Sequence, residues 1–516
     1  MSDDISTDHL SFAELIEGIH YPGRKVPAIR VTGLCLDSRR VQPGDLFFAC
    51  GGHQVHGKAF IDEAIARGAS VVLWESRSPK VETREGVYVY GVPELRQKVG
   101  IIAERFYGEP TREMQVVGIT GTNGKTSVCQ FIAQAFQHDG PCGVIGTLGN
   151  GVLNRGVMTL EPSPHTTPDA ITLHTLLDDL RHDEVRRVVM EVSSHALEQG
   201  RSAGVNMDVA VFTNLSHEHL DYHGDMRNYG LAKRRLFDAR GLKYAVVNVD
   251  DPFGRELLTS MPGAVGTVSY GFGSVYEGTD VLPSLHGSDL QLGPAGLQMR
   301  VSSDWGEGEL RVPLLGAFNA SNLLAALGAL LACGVAFDEA LKRLSEVRPV
   351  AGRMQGFGGD ERTPLVVVDY AHTPDALEQV LKALRHHTLG RLVCVFGCGG
   401  DRDKSKRPLM AKIAEQYADR VVITSDNPRS EAPDIIVSDI LNGLERMDEV
   451  AVIPDRAAAI DQAVIAASPG DVVLVAGKGH EQFQLVGDEK RPFSDVDEVR
   501  RALAQRGRAP MPETQE

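Results

Sequence analysis

No stretch of this chain stays apolar for the ~20 residues that a bilayer-spanning helix needs. Its longest apolar run, Leu323 to Phe337, is shorter, and Asn319, Ser321 and Asn322 just upstream predict a buried helix with a polar N-terminus. The opening segment, MSDDISTDHL, is acidic and lacks the basic and apolar regions of a signal peptide. These absences predict a cytoplasmic protein with no membrane insertion. The seven cysteines form no CxxC pair, so reduced thiols are expected. A net charge of -16 argues against a nucleic-acid partner, which would require clustered cations. There is no internal repeat, no GxGxxG spacing at Gly397 to Gly400, and no low-complexity segment apart from a short polar tail after Gln505.

What is present is ordinary globular composition, 42% apolar and 24% charged, over 516 residues. At about 150 residues per domain, that length predicts three. Residues 1–110 carry short strands at 71–74 and 87–90, turns at Leu36-Asp37-Ser38-Arg39 and Gly51-Gly52-His53-Gln54, and a linker at Glu109-Pro110-Thr111. Residues 111–346 place strands at 114–120, 187–192, 207–213 and 243–249. A glycine-rich, short-stranded antiparallel excursion follows over 265–315, then a closing helix over 320–333. Residues 347–516 place strands at 364–369, 391–396, 420–424 and 471–475. Strands alternating with helical segments predict an α/β fold with parallel sheets.

The segment Gly121-Thr122-Asn123-Gly124-Lys125-Thr126-Ser127 lies between a β-branched run and a helix with apolar residues at Val128, Phe131, Ile132, Ala135 and Phe136. Such a loop aims backbone N–H groups and the positive end of a helix dipole at an anion. Lys125 would add a full charge for the outer phosphates, and the Thr126 hydroxyl would hold Mg²⁺. Ile119 stands where the common phosphate-loop pattern has its first glycine, so this is not the generic nucleotidase signature.

Glu191 ends a strand of the same predicted sheet. It reads either as a carboxylate completing a Mg²⁺ shell with Thr126 or as a solvated loop acid. His217, His219 and His223 cluster without a cysteine and without HExxH spacing, which favours structural or substrate-facing roles over zinc. Lys233 in Ala232-Lys233-Arg234-Arg235 reads as part of a solvated basic helix face, and Arg353 as a hinge cation. In the last domain four unusual loops follow strands: Asp369 to His372, Gly397 to Arg402, Asp426 to Arg429, and Gly477 to Glu481. Ligands gather at that end of doubly wound sheets. Pro428 stiffens the loop presenting Arg429, whose planar guanidinium suits a carboxylate; a polar turn is the other reading.

Together these motifs resemble the Mur ligases, the ATP-dependent amino-acid-adding enzymes of peptidoglycan synthesis. The resemblance rests on TGTNGKT at 120–126, EVSSHAL at 191–197, HLDYHGDM at 219–226, FNxxN at 318–322, DYAHTPD at 369–375, GCGGDRDKSKRP at 397–408, DNPR at 426–429 and GKGHE at 477–481. It covers nearly the whole chain and is closest to the diaminopimelate-adding branch. It implies an N-terminal α/β uridine-nucleotide domain, a central phosphate-loop parallel-sheet ATPase domain and a C-terminal Rossmann-like domain. Leu36, Ser38, His53, Gln54 and Val55 would meet the uridine nucleotide, and Thr166, Thr167, Ser193, Gln199 and Arg201 the muramoyl peptide. Lys233 would be carbamylated, joining Thr126, Glu191 and His219 around Mg²⁺. Asn319 and His372 would face adenosine, and Arg353 would act with Lys125 on the phosphates. Arg402, Asp426, Asn427, Pro428, Arg429, Gly477 and Glu481 would bind diaminopimelate.

The implied reaction takes only small molecules: ATP, a UDP-N-acetylmuramoyl dipeptide and meso-diaminopimelate, on a monomer. His195, His372 and His480 all remain candidates for deprotonating the amine. A lysine-adding ligase and a folylpolyglutamate synthase share the architecture; DNPR argues against the first and the uridine-type domain against the second. A phosphate-loop nucleotidase that does not ligate is the rival from another class.

Overall fold

A computed structural model gives the fold and describes residues 11–19, 26–52, 56–273, 283–293 and 296–506. The chain forms two compact units, one of residues 1–284 with 325–336 and the other of residues 285–324 with 337–516.

The first unit holds two sheets. Strands β1 (Gly33–Cys35), β2 (Asp45–Ala49), β3 (Val71–Glu75), β4 (Lys80–Arg84) and β5 (Val87–Val92) pair in the order β1-β2-β3-β5-β4, with only β4 antiparallel. Alternation along β2 sends Leu46 and Phe48 to one core and Phe47 and Ala49 to another, so the sheet is covered on both faces. The larger sheet contains β6 (Gln115–Thr120), β7 (Cys142–Gly146), β8 (Gly149–Asn154), β9 (Val157–Glu161), β10 (Arg187–Glu191), β11 (Val209–Phe212), β12 (Tyr244–Asn248) and β13 (Gly266–Gly271). They run β13-β12-β11-β6-β10-β7-β8-β9, parallel from β13 to β7. Strand β6, which feeds the phosphate loop, is therefore flanked by β10 and β11, whose ends carry Glu191 and Thr213.

In the second unit, β14 (Leu285–Gly293), β15 (Gly296–Ser303) and β16 (Gly306–Val312) form an antiparallel meander. The expectation of short antiparallel strands over 265–315 needs two corrections. Strand β13 is parallel to β12 and belongs to the main sheet, and β14 to β16 are 9, 8 and 7 residues long. Glycines that read as breakers sit at strand ends (Gly293, Gly296, Gly306) or inside a paired strand (Gly287, Gly308). The helix Ala317–Ala332 begins earlier than the polar cluster that was to precede it. Asn319 and Asn322 are buried inside its first turns, Asn319 donating to the Leu315 carbonyl at 2.8 Å and Asn322 to Asn319 Oδ1 at 3.0 Å.

The last sheet comprises β17 (Gln355–Gly358), β18 (Leu365–Asp369), β19 (Leu392–Phe396), β20 (Arg420–Ile423), β21 (Val450–Val452) and β22 (Val472–Ala476), ordered β17-β18-β22-β19-β20-β21. All but β17 are parallel. Val367, Cys394 and Leu474 face helices Pro374–Arg385, Lys406–Tyr417 and Pro433–Leu441; Val366, Val395 and Val475 face Arg456–Ala466 and Asp495–Arg506. A hairpin, β23 (Phe483–Val486) and β24 (Glu489–Pro492), follows β22. Among the described residues no helix is long and apolar enough to cross a membrane, and all seven cysteines are free thiols.

One buried imidazole makes the first unit acid-sensitive. His174, on the helix Ala170–His182, is 0 % exposed, with Nε2 2.9 Å from the Ala203 carbonyl and, among the described residues, no partner for Nδ1. Burial pushes its pKa down to about 4. The unfolded chain, with histidine near ~6.5, therefore takes up the proton first, and stability falls as pH drops from ~6.5 toward ~4, by up to about 3 kcal/mol. His174→Phe is expected to flatten the unfolding free energy against pH in that window. Parallel curves for the two proteins would contradict it.

Candidate active site

The phosphate loop closes against β11. Gly121 has φ +151, and a Cβ there would lie 1.8 Å from Thr213 Oγ1, so only glycine lets the loop approach that strand. Thr213 donates to the Asn123 carbonyl at 2.6 Å, and Asn214 accepts from Asn123 N–H at 2.9 Å. Gly124, at φ +85, precedes the helix Lys125–Phe136, whose first N–H groups face the loop. Lys125 Nζ donates to the carbonyls of Gly121 and Thr122, each at 2.8 Å, which holds the ammonium over the loop's mouth. Ser127 lies one turn in, half-buried. Thr213 and Asn214 open a stretch dense in ligand-type side chains, but the sequence alone gave them no role; their place just after a strand was the available signal.

Glu191 is not a solvated loop acid: it is 1 % exposed at the end of β10. Its carboxylate accepts the Thr126 hydroxyl at 2.9 Å and the Thr147 N–H at 2.8 Å. Among the described residues no cation pairs with it. A buried carboxylate left so is costly, and the hydroxyl beside it completes an oxygen donor set suited to a hard divalent cation. Among the described residues no three His, Cys, Asp or Glu side chains group as a metal site.

Lys233 corrects the sequence reading most sharply. Its side chain is 1 % exposed rather than solvated, donates to the Gly121 carbonyl at 2.8 Å, and lies 4.2 Å from the Tyr229 ring centroid one helical turn earlier. Burial, with the Lys125 charge beside it, pushes its pKa well below the ordinary lysine value. Burial thus favours the uncharged amine, held against the phosphate loop at the Gly121 carbonyl. His219, exposed and at φ +56, has its ring 4.8 Å from that of His195, which also packs 4.2 Å from Tyr222.

Next to this cluster runs a polar chain. Thr147 meets the Thr166 hydroxyl at 3.0 Å, and Thr167 donates to the Glu191 carbonyl at 2.9 Å while accepting the Ser193 N–H at 3.1 Å. Arg201 donates to the Thr167 carbonyl at 2.9 Å and to Gln199 Oε1 at 2.7 Å. A cleft of about 730 Å³ joins Gly51 and Gly52 to Arg96, Gln97 and Glu198. It thus links the turn just before His53 with the residue just before Gln199. His53, Gln54 and Val55 themselves lie outside the described residues. Leu36 is half-buried, and Ser38 is buried, donating to Glu63 at 2.8 Å.

In the second unit the four predicted loops follow β18, β19, β20 and β22, four consecutive strands of one sheet. Asp369 is buried and accepts N–H bonds from Met354 and Ala371, each at 2.8 Å. Gly352 packs so closely on the Gly479–His480 backbone that a Cβ would lie 2.2 Å from His480 N. That contact carries Arg353 over the Tyr370 ring, 4.8 Å from its centroid, with no hydrogen bond for its Nε among the described residues. His372 hydrogen-bonds the Tyr370 carbonyl through Nδ1 at 2.8 Å.

Arg429 sits at φ +51 after Pro428. Its backbone is tied to the Leu485 carbonyl at 3.0 Å and its guanidinium to the Gly400 carbonyl at 2.8 Å. Asn427 donates to Glu481 at 2.9 Å, and the fully buried Lys478 donates to both, at 3.1 Å to Asn427 Oδ1 and 2.7 Å to Glu481 Oε2. Asp426 receives the Asn427 N–H at 2.6 Å and faces Gly477. Arg402 is exposed at the rim. Sequence analysis gave Lys478 no role within the Gly477–Glu481 loop; its burial and its bonds to Asn427 and Glu481 exist only in the folded chain.

Comparison with known proteins agrees along the chain. Residues 30–107 match the model described as Mur ligase family, catalytic domain, residues 119–330 the Mur ligase middle domain, and residues 352–479 the Mur ligase, glutamate ligase domain. A protein of Coxiella burnetii named UDP-N-acetylmuramoyl-L-alanyl-D-glutamate–2,6-diaminopimelate ligase is 48% identical over 478 residues, covering 92% of this chain and 96% of the relative. A protein of the same name from Pseudomonas aeruginosa is 48% identical over 472 residues, covering 91% and 94%. A solved structure of a ligase of that name superposes with TM-score 0.71 at 36% identity, covering 97% of this chain and 100% of the other.

Proposed function

The chain belongs to the Mur ligase family, and from that premise we propose that it joins meso-2,6-diaminopimelate to UDP-N-acetylmuramoyl-L-alanyl-D-glutamate while ATP becomes ADP and phosphate. The observation that carries the reading is one chain holding both a lysine-bearing anion cradle and four adjacent strand-end loops that present Arg429 and Glu481. The three segments 1–110, 111–346 and 347–516 would take the uridine nucleotide, ATP and the amino acid in turn. The reaction belongs in the cytoplasm, on a monomer.

A carboxylate has no usable leaving group, so an amine does not displace its oxygen directly. Transfer of the γ-phosphoryl group to the D-glutamyl γ-carboxylate gives an acyl phosphate and ADP. The amine of diaminopimelate then attacks the carbonyl carbon, and the tetrahedral intermediate expels phosphate and leaves an amide. No protein nucleophile is needed; positioning and neutralisation of charge suffice. Gly121 to Ser127 would seat the triphosphate, with Lys125 and Arg353 meeting its outer charges and Asn319 and His372 the adenosine. Thr126, Glu191, His219 and the carbamate of Lys233 would hold Mg²⁺, which when bound offsets negative charge on the phosphates. Carbamylation requires a neutral amine, a form that the burial of Lys233 favours. Thr166, Thr167, Ser193, Gln199 and Arg201 would align the peptide. His195, His372 and His480 are the imidazoles able to take the amine's proton.

Incubation with ATP, the nucleotide-sugar dipeptide and diaminopimelate is expected to give the tripeptide by mass spectrometry, and ATP hydrolysis without tripeptide would refute ligation. Arg429 is expected to select the acceptor, because diaminopimelate has a distal carboxylate and lysine has none. Losing such a pairing costs about 2 kcal/mol or more, so Arg429→Leu should narrow the kcat/KM ratio between the two by ~30-fold. An unchanged ratio would remove that role.

A further inference from the structure

Beneath the acceptor loops lies a buried ion pair that the ligation chemistry does not use. Arg456 opens the helix Arg456–Ala466, and Asp495 opens the helix Asp495–Arg506. Both side chains are 0 % exposed and meet in a two-pronged pair, Nε to Oδ1 and one terminal nitrogen to Oδ2, each at 2.7 Å. The guanidinium has further partners. One terminal nitrogen donates to the Ala476 carbonyl at 2.9 Å and the other to the Ser425 carbonyl at 3.3 Å. Ala476 is the last residue before the Gly477–Glu481 loop, and Ser425 the last before the Asp426–Arg429 loop.

Those loops hang from β22 and β20, which are not neighbours, since β19 runs between them. The Arg429 backbone is tied to the hairpin that continues from the second loop, at the Leu485 carbonyl (3.0 Å) and the Gly487 N–H (2.7 Å). At the roots of the two loops, among the described residues, the ties between them are side-chain bonds. Arg456 spans the gap from below, as Lys478, Asn427 and Glu481 do from above. Desolvating a charged pair is expensive, and a hydrophobic pair of similar volume would serve packing as well or better. A planar five-donor group, however, can hold a carboxylate and two carbonyls at once in fixed directions.

We propose that the Arg456–Asp495 pair is a positioning element of the acceptor site, setting the separation of the Arg429 and Glu481 loops and thereby the choice of amino acid. This rests on the function proposed above and adds to it a pair that touches no substrate.

The test is the double variant Arg456→Met with Asp495→Leu, which removes both charges and leaves neither unpaired. Each KM is measured for the wild type and the variant, with lysine as the competing acceptor. The expected result is a folded protein whose KM for ATP stays within about twofold. Its KM for diaminopimelate should rise ~10-fold or more, and its preference over lysine should shrink. A folded variant with a lower melting temperature but unchanged acceptor KM and preference would overturn the proposal and leave the pair purely structural. If the double variant does not fold, Asp495→Asn is read by the same criteria. A wild type that ligates some other amino acid would defeat the diaminopimelate assignment, and the clamp is then judged on KM for that acceptor.

Discussion

Lys125→Ala is expected to lower ligation by ~10³-fold or more, the scale of losing a preorganised charge at a developing anion. Its cooperative unfolding should persist. The ammonium donates to the Gly121 and Thr122 carbonyls of its own loop, and the side chain is half-buried. Those carbonyls pass to water when the lysine goes, at a cost of about 1 kcal/mol. Activity and stability should therefore separate, with turnover lost and the thermal midpoint nearly kept. Wild-type turnover in the variant would remove the cradle assignment, and a collapsed midpoint would make Lys125 a folding residue.

Lys233→Ala should lower turnover by ~10²-fold, with partial recovery in added acetate or formate. The argument is physical. A lysine that is 1 % exposed, beside a second lysine and stacked on Tyr229, is a poor place for an ammonium. Conversion to a carbamate replaces a destabilised cation with an anion beside the Lys125 charge. A short carboxylate diffusing into the space left by alanine restores part of that charge. Full activity in the variant would sink the carbamate, and absence of any rescue would leave Lys233 a packing residue.

The contrast between these two lysines shows what the sequence made legible. Lys125 was readable because its neighbours impose geometry: two glycines, a β-branched strand before and an apolar helix after. Lys233 was singled out only through the family resemblance, because Ala232-Lys233-Arg234-Arg235 by itself reads as a solvated basic face. Its burial arises from Tyr229 and the Gly121 carbonyl 112 positions away, a contact made only in the folded chain. The four strand-end loops of the last sheet were placed correctly, since short runs of Val and Leu buried on both faces are plain in sequence. Strands β7 to β9 and the hairpin β23–β24 were missed. The first group reads as a glycine-rich connection, and the second carries Lys490 and Arg491 on an exposed strand. Arg456 and Asp495 lie 39 positions apart and have no motif; only packing of two helices brings them together.

The central claim is that the γ-carboxylate is activated by phosphorylation before the amine arrives. Ligation with dipeptide substrate carrying ¹⁸O in both γ-carboxylate oxygens tests it most directly. Transfer of one label into phosphate for each tripeptide formed is the predicted result. Tripeptide formation with unlabelled phosphate would contradict the account.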